Sequence, residues 1–387
     1  MTELERTALL PAGLRDVLPP DAAFEAAIVE RLIAHVSQMG YARVKAPLVE
    51  FEDGLLSGPG AAMAAHTFRL MDPVSHRMMG VRADITPQIA RIARTRLKNA
   101  PRPLRLCYAG EVLRVKGTQL NPEREFVQVG VELIGGAPAA AAAADAEVIV
   151  MAAEALGQLG IIELSVDLNL PPFVPAVLDA LRVPAEHQAE LRAALDRKDA
   201  AAVAAVGGPA AKTLGALMAA AGPAERSLER LAKLDLPPVA AAERARLADV
   251  HRLIRASASG LKLTIDPVER RGFEYHTGVG FTIYAPAAGG ELGSGGRYFA
   301  AAHNGGEPAT GCTLYVDTIL NALPAPTVKQ ALFVPAETPR AEGRRFRADG
   351  WSTVHGLCPG DDPMSEARRL GCSHVLIAGA VQPVSRS

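Results

Sequence analysis

The sequence predicts an α+β fold: antiparallel strands with flanking helices, a helical insertion and a small C-terminal α/β unit. Three observations predict it. Residues 104–114 and 125–134 are β-rich runs around a polar loop, Val115 to Arg124, as in an antiparallel pair with a long connection. From Pro171 to about Gly260 the texture shifts to Leu, Ala, Arg and Glu, with Pro and Gly at intervals, which reads as helices. After the linker Pro324-Ala325-Pro326, short apolar runs alternate with helical patterns.

The elements follow in order. Pro19-Pro20-Asp21 is a helix start with Asp21 as the N-cap. Phe24, Ile28, Leu32, Ile33, Val36 and Met39 then form one apolar stripe, and Gly40 ends the helix. Tyr41 to Glu50 reads as a strand closed by Pro47. Thr67–Met71 and Arg77–Arg82 suit a hairpin, and Pro87 to Leu97 a helix. Pro138 and the alanines Ala139 to Ala144 open a helix to Leu159, with Asp145 and Glu147 on a polar face. Ile161 to Leu170 returns to strand character. Strands resume at Leu261 and include Phe281–Tyr284, whereas Gly289 to Gly296 reads as a turned loop. The C-terminal unit is expected to hold strands at Gln330–Val334 and Trp351–Leu357, a helix at Arg340–Gly350, and the pair Met364–Leu370 and His374–Ala378. The expected domains are a core over 1–322, with its insertion at about 171–260, and a small unit over 328–387.

The 387 residues suffice for two or three domains. A hydrophobic share of 49% with 21% charged residues is that of a soluble globular protein. A net charge of −1 gives no global attraction to nucleic acid or an anionic membrane. Cys107, Cys312, Cys358 and Cys372 share no C-x-x-C spacing, so they read as reduced thiols rather than a zinc site or disulfide framework. No uncharged apolar stretch reaches the ~18 residues of a membrane span, and the N-terminus lacks a signal pattern. A cytoplasmic protein without metal or cofactor is expected.

Four strings carry chemistry: Arg82-Ala83-Asp84-Ile85-Thr86-Pro87-Gln88, Arg105 to Arg114, Phe126 to Glu132, and Arg271-Gly272-Phe273-Glu274-Tyr275-His276-Thr277-Gly278. Singly, each is weak, because a lone arginine on a strand is usually solvated or ion-paired, and buried carboxylates often serve backbone amides. Their order and spacing resemble the histidyl-tRNA synthetase family of class II aminoacyl-tRNA synthetases, over residues 10 to about 322. Leu14-Arg15-Asp16-Val17-Leu18-Pro19 resembles the family's N-terminal segment, and Gly40 to Glu50 resembles motif 1, the dimer-forming segment. Arg114 and Phe126 have the spacing of motif 2. Asp145-Ala146-Glu147-Val148-Ile149 matches the next helix, Arg271-Gly272 with Tyr275 the histidine-specific string, and Gly295-Gly296-Arg297-Tyr298 the glycine-rich strand.

The resemblance implies a class II core with an antiparallel sheet and a pocket for free histidine. Asp84, Thr86 and Gln128 would meet the α-ammonium, whose three donors suit oxygen acceptors. Arg271 would fork onto the α-carboxylate. Glu132 would accept from one imidazole nitrogen. His276 stands where the family places a tyrosine hydroxyl, and Tyr275 would form a wall. Arg114 would contact an α-phosphate or pair with a carboxylate.

Departures fall on the other side of the pocket. Gly311 to Leu320 resembles motif 3, but Tyr315 occupies its second glycine and Thr318 its ATP-binding arginine. A neutral hydroxyl does not replace a charged planar fork on a triphosphate. Lys116 reverses the charge of an acidic position in motif 2, and the unit after Pro326 is shorter than an anticodon-binding domain. Asp84-Ile85-Thr86-Pro87-Gln88 resembles instead the paralogous family of regulatory subunits of ATP phosphoribosyltransferase. That resemblance implies a regulatory subunit without catalytic residues, needed for the first step of histidine biosynthesis and for its feedback inhibition. Its partners would be the short-form catalytic subunit, a second copy through the motif 1 region, and L-histidine as effector, with no tRNA and no membrane. The competing readings are an active histidyl-tRNA synthetase and a synthetase-derived binding module with another partner.

Overall fold

The structure, a computed structural model, describes residues 9–117, 123–269, 276–300, 306–326 and 330–385. The chain divides into two compact units, Met1–Pro324 and Ala325–Ser387.

Helix α1 (Asp21–Gln38) starts one residue earlier than a cap at Asp21 would place it. Pro20 holds the N-cap position, and Asp21 is the first helical residue, where its charge still favours the helix N-terminus. Gly40, at φ +86°, turns the chain away. The single strand expected over Tyr41–Glu50 is split into β1 (Ala42–Arg43) and β2 (Val49–Phe51). Pro47 has no N–H to give a ladder, and the two pieces serve different sheets.

Next come α2 (Glu52–Leu55), β3 (Arg69–Met71) and β4 (Met78–Val81), with β3 and β4 in the expected hairpin. Helix α3 (Thr86–Thr95) precedes β5 (Leu104–Leu113) and β6 (Glu125–Ile134), which pair antiparallel as predicted. Helix α4 (Ala141–Gln158) and β7 (Ser165–Asn169) lead into the helical segment. That segment holds α5 (Phe173–Ala180), α6 (Ala185–Asp196), α7 (Ala200–Val206), α8 (Ala211–Ala219), the short β8 (Gly222–Pro223), α9 (Ala224–Ala232) and α10 (Pro238–Ser257). Strands β9 (Lys262–Asp266), β10 (Gly280–Tyr284), β11 (Glu291–Phe299) and β12 (Pro308–Tyr315) follow, then α11 (Val316–Ala322).

Among the described residues, nine strands form the main sheet in the order β1-β5-β6-β12-β11-β10-β7-β9-β8. It is antiparallel except for the parallel pairs β1/β5 and β7/β9. Side chains alternate across it. Cys107, Val129, Val131, Leu133, Cys312 and Leu314 point into the core with Ile28, Leu32 and Val36 of α1 and Val148, Ile149 and Met151 of α4. The residues between them face the other way.

Two further expectations fail for instructive reasons. Asp145 lies on no polar face: it is 1% exposed and takes Arg297 Nε at 3.2 Å, Arg297 Nη2 at 2.8 Å and Thr310 Oγ1 at 2.6 Å. Its partners come from β11 and β12, so local sequence does not reveal them. The stretch Gly289–Gly296 is a turn only at its start, where Gly289 has φ +66°. From Glu291 onward it is strand β11 in the middle of the sheet, paired on both sides from Gly293.

The second unit contains β13 (Ala331–Val334), α12 (Arg340–Ala348), β14 (Ser352–His355), α13 (Pro363–Arg369), β15 (His374–Ile377) and β16 (Ala380–Pro383). Its sheet order is β14-β13-β15-β16, parallel except for β16. Strand β16, which the sequence reading lacks, turns back at Ala378 and Gly379, both at positive φ. Phe333, Ala367 and Val375 form its small core.

Candidate functional site

The strand register lines up chemistry across the sheet. One row runs Leu106, Glu132, Gly311, Gly296, Gly280, Asn169 over β5, β6, β12, β11, β10 and β7. The next runs Tyr108, Gly130, Thr313, Ser294, Thr282. Three consecutive strands of the first row carry no side chain, which leaves a trough, and neighbouring groups lean over it. A Cβ on Gly311 would collide with the Glu132 carboxylate, and one on Gly130 with the Tyr108 ring. A Cβ on Gly296 would stand 3.0 Å from His276 Cε1. Glycine is required here by close approach, not by backbone angle.

Four of the predicted ligands converge at the β6 end. Asp84, Thr86, Gln128 and Glu132 are all buried. The Asp84 carboxylate accepts from the Thr86 N–H at 3.2 Å, and Gln128 Oε1 accepts from the Ile85 N–H at 3.2 Å. The loop before α3 is thereby fixed to β6. Tyr298 donates its hydroxyl to Glu132 Oε2 at 2.7 Å. Tyr108 reaches Oε1 at 3.4 Å and also lies 3.1 Å from Thr86 Oγ1 and 3.2 Å from Thr313 Oγ1.

The electrostatics follow from burial. Loss of water pushes the Glu132 carboxyl up to about 8; the Tyr298 and Thr86 hydrogen bonds oppose this and the Asp84 charge adds to it. Burial raises Asp84 as well, against the favourable charge of Arg114. Among the described residues no cation bonds either carboxyl. Two such acids in one closed, polar space suit a cationic ligand group.

Arg114 stands at the rim, half-buried. It donates Nε to Ala83 O at 3.3 Å and lies 4.8 Å over the Phe126 ring. Arg82 takes a structural role, donating to Glu111 O at 2.7 Å and Ala46 O at 3.1 Å. His276 is half-buried with Nδ1 out of reach of solvent, and desolvation lowers its pKa to about 4, so the ring is neutral. Arg271 and Tyr275 lie outside the described residues. The sequence reading missed Tyr108, Tyr298 and Thr313 as partners. All three sit inside strings it quoted, and the alternation Gln128, Gly130, Glu132 marks the face they share.

On the motif 3 side, Tyr315 fills space above the Gln128 row. Its hydroxyl lies 2.8 Å from Ser294 Oγ and its ring meets Phe126 edge-on at 6.4 Å. Asp317 accepts from Arg15 at 3.2 Å. Thr318 is half-buried and Lys116 exposed. Among the described residues no His, Cys, Asp and Glu group fits a metal, and no helix is long and apolar enough to cross a membrane.

A family model described as histidyl-tRNA synthetase matches residues 13–319. A relative from Paramagnetospirillum magneticum, described as ATP phosphoribosyltransferase regulatory subunit, is 60% identical over 376 residues, covering 97% of this chain and 98% of its own. The chain belongs to the ATP phosphoribosyltransferase regulatory subunit family. A second member, from Rhodospirillum centenum, is 56% identical over 377 residues, covering 97% of this chain and 96% of the relative. A solved structure from Bacillus halodurans, described as an ATP phosphoribosyltransferase regulatory subunit/histidyl-tRNA synthetase, matches with a TM-score of 0.80 at 25% identity, over 93% of this chain and 96% of that one. The regulatory-subunit family signalled by Asp84-Ile85-Thr86-Pro87-Gln88 is therefore the right one, on a class II synthetase fold.

Proposed function

We propose that this chain is a non-catalytic regulatory subunit that binds L-histidine in the Glu132 pocket and transmits feedback inhibition to a short-form ATP phosphoribosyltransferase in the cytoplasm. The observation that carries the reading is an asymmetry. The acceptors for an amino acid, Asp84, Thr86, Gln128 and Glu132, are assembled and buried. The nucleotide side has Tyr315 in place of a glycine and Thr318 in place of an arginine. Adenylation needs a neutralised triphosphate, and one preorganised donor alone is worth ~3–4 kcal/mol to such a transition state. Histidine would lie with its ammonium at Asp84, Thr86 and Gln128, its carboxylate on Arg271, its imidazole between Glu132 and His276, and Tyr275 and Arg114 at the walls.

Feedback requires that histidine favour one conformation of the complex over another. A homodimer through the motif 1 region is part of the proposal. Leu48, Phe51, Leu70, Met71 and Met78 are exposed on and beside the three-stranded sheet β2-β4-β3, an apolar surface suited to a second copy. No role for tRNA is assigned to the short second unit.

Three measurements test the reading. The short-form catalytic subunit should co-purify with the chain and gain activity on mixing. Calorimetry should record histidine binding, abolished by Glu132→Ala and by Arg271→Ala. Histidine-dependent ATP–pyrophosphate exchange by the purified chain would favour a working synthetase and sink the proposal.

A further inference from the structure

We infer that Tyr315 is a specificity-determining wall of the pocket, admitting free histidine and excluding a histidine extended through its carboxyl group. Resting on the histidine reading, this adds a limit on ligand length to the recognition of the ring.

From Gly311 onward, the trough-facing positions of β12 read Gly311, Thr313, Tyr315. Thr313 fixes the orientation, since its hydroxyl lies 3.2 Å from the Tyr108 hydroxyl, which also reaches Glu132. Along one strand the floor thus passes from bare backbone, through a small hydroxyl, to a full phenol ring. Register sets Gly311 opposite Glu132 and Tyr315 opposite Gln128. At ~3.4 Å per residue, the base of the ring stands about 13 Å along the strand from the Glu132 row. The ring then leans back. Ser294 lies opposite Thr313, one row nearer Glu132, yet its Oγ is 2.8 Å from the Tyr315 hydroxyl. Such diagonal neighbours on one face are within reach of an aromatic side chain.

The wall is braced. Phe126 meets the ring edge-on at 6.4 Å, with Arg114 4.8 Å over Phe126 in turn. Tyr315 also packs against the apolar cluster that contains Ile85, Tyr108 and Phe126. The hydrogen bond and the aromatic edge are each worth about 1 kcal/mol, so the ring does not swing aside freely. It stands at the head-group end of the site. Gln128 Oε1 takes the Ile85 N–H and Asp84 the Thr86 N–H, which sets the acceptors for an ammonium beside the Gln128–Tyr315 pair. A histidine with its imidazole at Glu132 and its ammonium at these acceptors brings its α-carbon up to the row that Tyr315 closes. A free carboxylate ends there. A peptide bond carries the chain on into the phenol. The competitor refused is therefore an N-terminal histidine, which offers the same ammonium and the same imidazole.

The test is calorimetry on the full chain with L-histidine, L-histidinamide and the dipeptide L-histidylglycine. Histidinamide loses the carboxylate charge without added length; the dipeptide adds length. The wild type should bind histidinamide about tenfold or more tighter than the dipeptide, because a filled site rejects extra atoms. Tyr315→Ala should bring the two to within about threefold, and Tyr315→Phe, which keeps the ring, should hold the wild-type ratio. Equal rejection of both ligands by the wild type assigns the loss to charge and overturns the inference. So does a Tyr315→Ala variant that still refuses the dipeptide, or a Tyr315→Phe variant that admits it. If Tyr315→Ala fails to fold, the shorter Tyr315→Leu decides the matter by the same ratio. A wild type that does not bind L-histidine itself overturns the histidine reading instead.

Discussion

Replacing Glu132 with glutamine should make the ligand-free protein more stable at alkaline pH, by an amount that grows with pH. Glu132 is 1% exposed, and its oxygens accept from two phenols rather than from a described cation. Burial moves its carboxyl from an ordinary 4.5 to about 8. Between those limits the folded chain keeps the proton and the unfolded chain has lost it. Unfolding free energy therefore falls as pH rises, by about 1.4 kcal/mol per pH unit from this group. Its contribution is complete below the unfolded value and gone above the folded one, with a ceiling on the order of 5 kcal/mol. Glutamine keeps the shape and does not titrate. Urea unfolding of both proteins, without histidine, from about pH 5 to about pH 8.5, reads the difference directly. The variant should gain several kcal/mol on the wild type across that range. A difference constant to within about 0.5 kcal/mol would refute the assignment of the buried proton to Glu132.

Three further outcomes follow from the same geometry. Arg297→Met leaves Asp145 buried without its ion-pair partner and should cost about 3–5 kcal/mol in thermal or urea unfolding, most of it recovered in the double variant with Asp145→Leu. Gly311→Ala drives a methyl into the Glu132 carboxylate, so calorimetry should show histidine binding lost at a stability cost of about 1–3 kcal/mol. Tyr298→Phe removes the shortest hydrogen bond to Glu132; it should cost about 1 kcal/mol and push the carboxyl higher still, read as an alkaline shift of the pH–stability curve.

Much of the fold was legible because its signals are local. The stripe from Phe24 to Met39, the runs flanking Val115–Arg124 and the helical texture after Pro171 each declare an element within their own span. What escaped was set by distant partners. Asp145 looks solvent-facing until Arg297 and Thr310 arrive from other strands. Gly293 to Gly296 looks like a loop because glycine signals turns, yet pairing on both sides makes it a central strand. In the site, Asp84, Thr86, Gln128 and Glu132 were identified by the string they sit in, and the structure brings them together. Their supporting phenols, Tyr108 and Tyr298, depend on cross-strand register, which one sequence does not fix.

The glycine row has a consequence for how the sheet is held. Gly311, Gly296 and Gly280 leave three neighbouring strands bare along one row of that face, while the opposite face is locked to α1 and α4. On the proposed reading, a guest in the trough would act as a removable piece of core, shared by three strands and supplied from solution. Occupancy would then add stability with the logarithm of concentration: at a hundredfold excess over the dissociation constant, about 2.7 kcal/mol. The sheet would become a gauge whose stability records how much of its guest surrounds it.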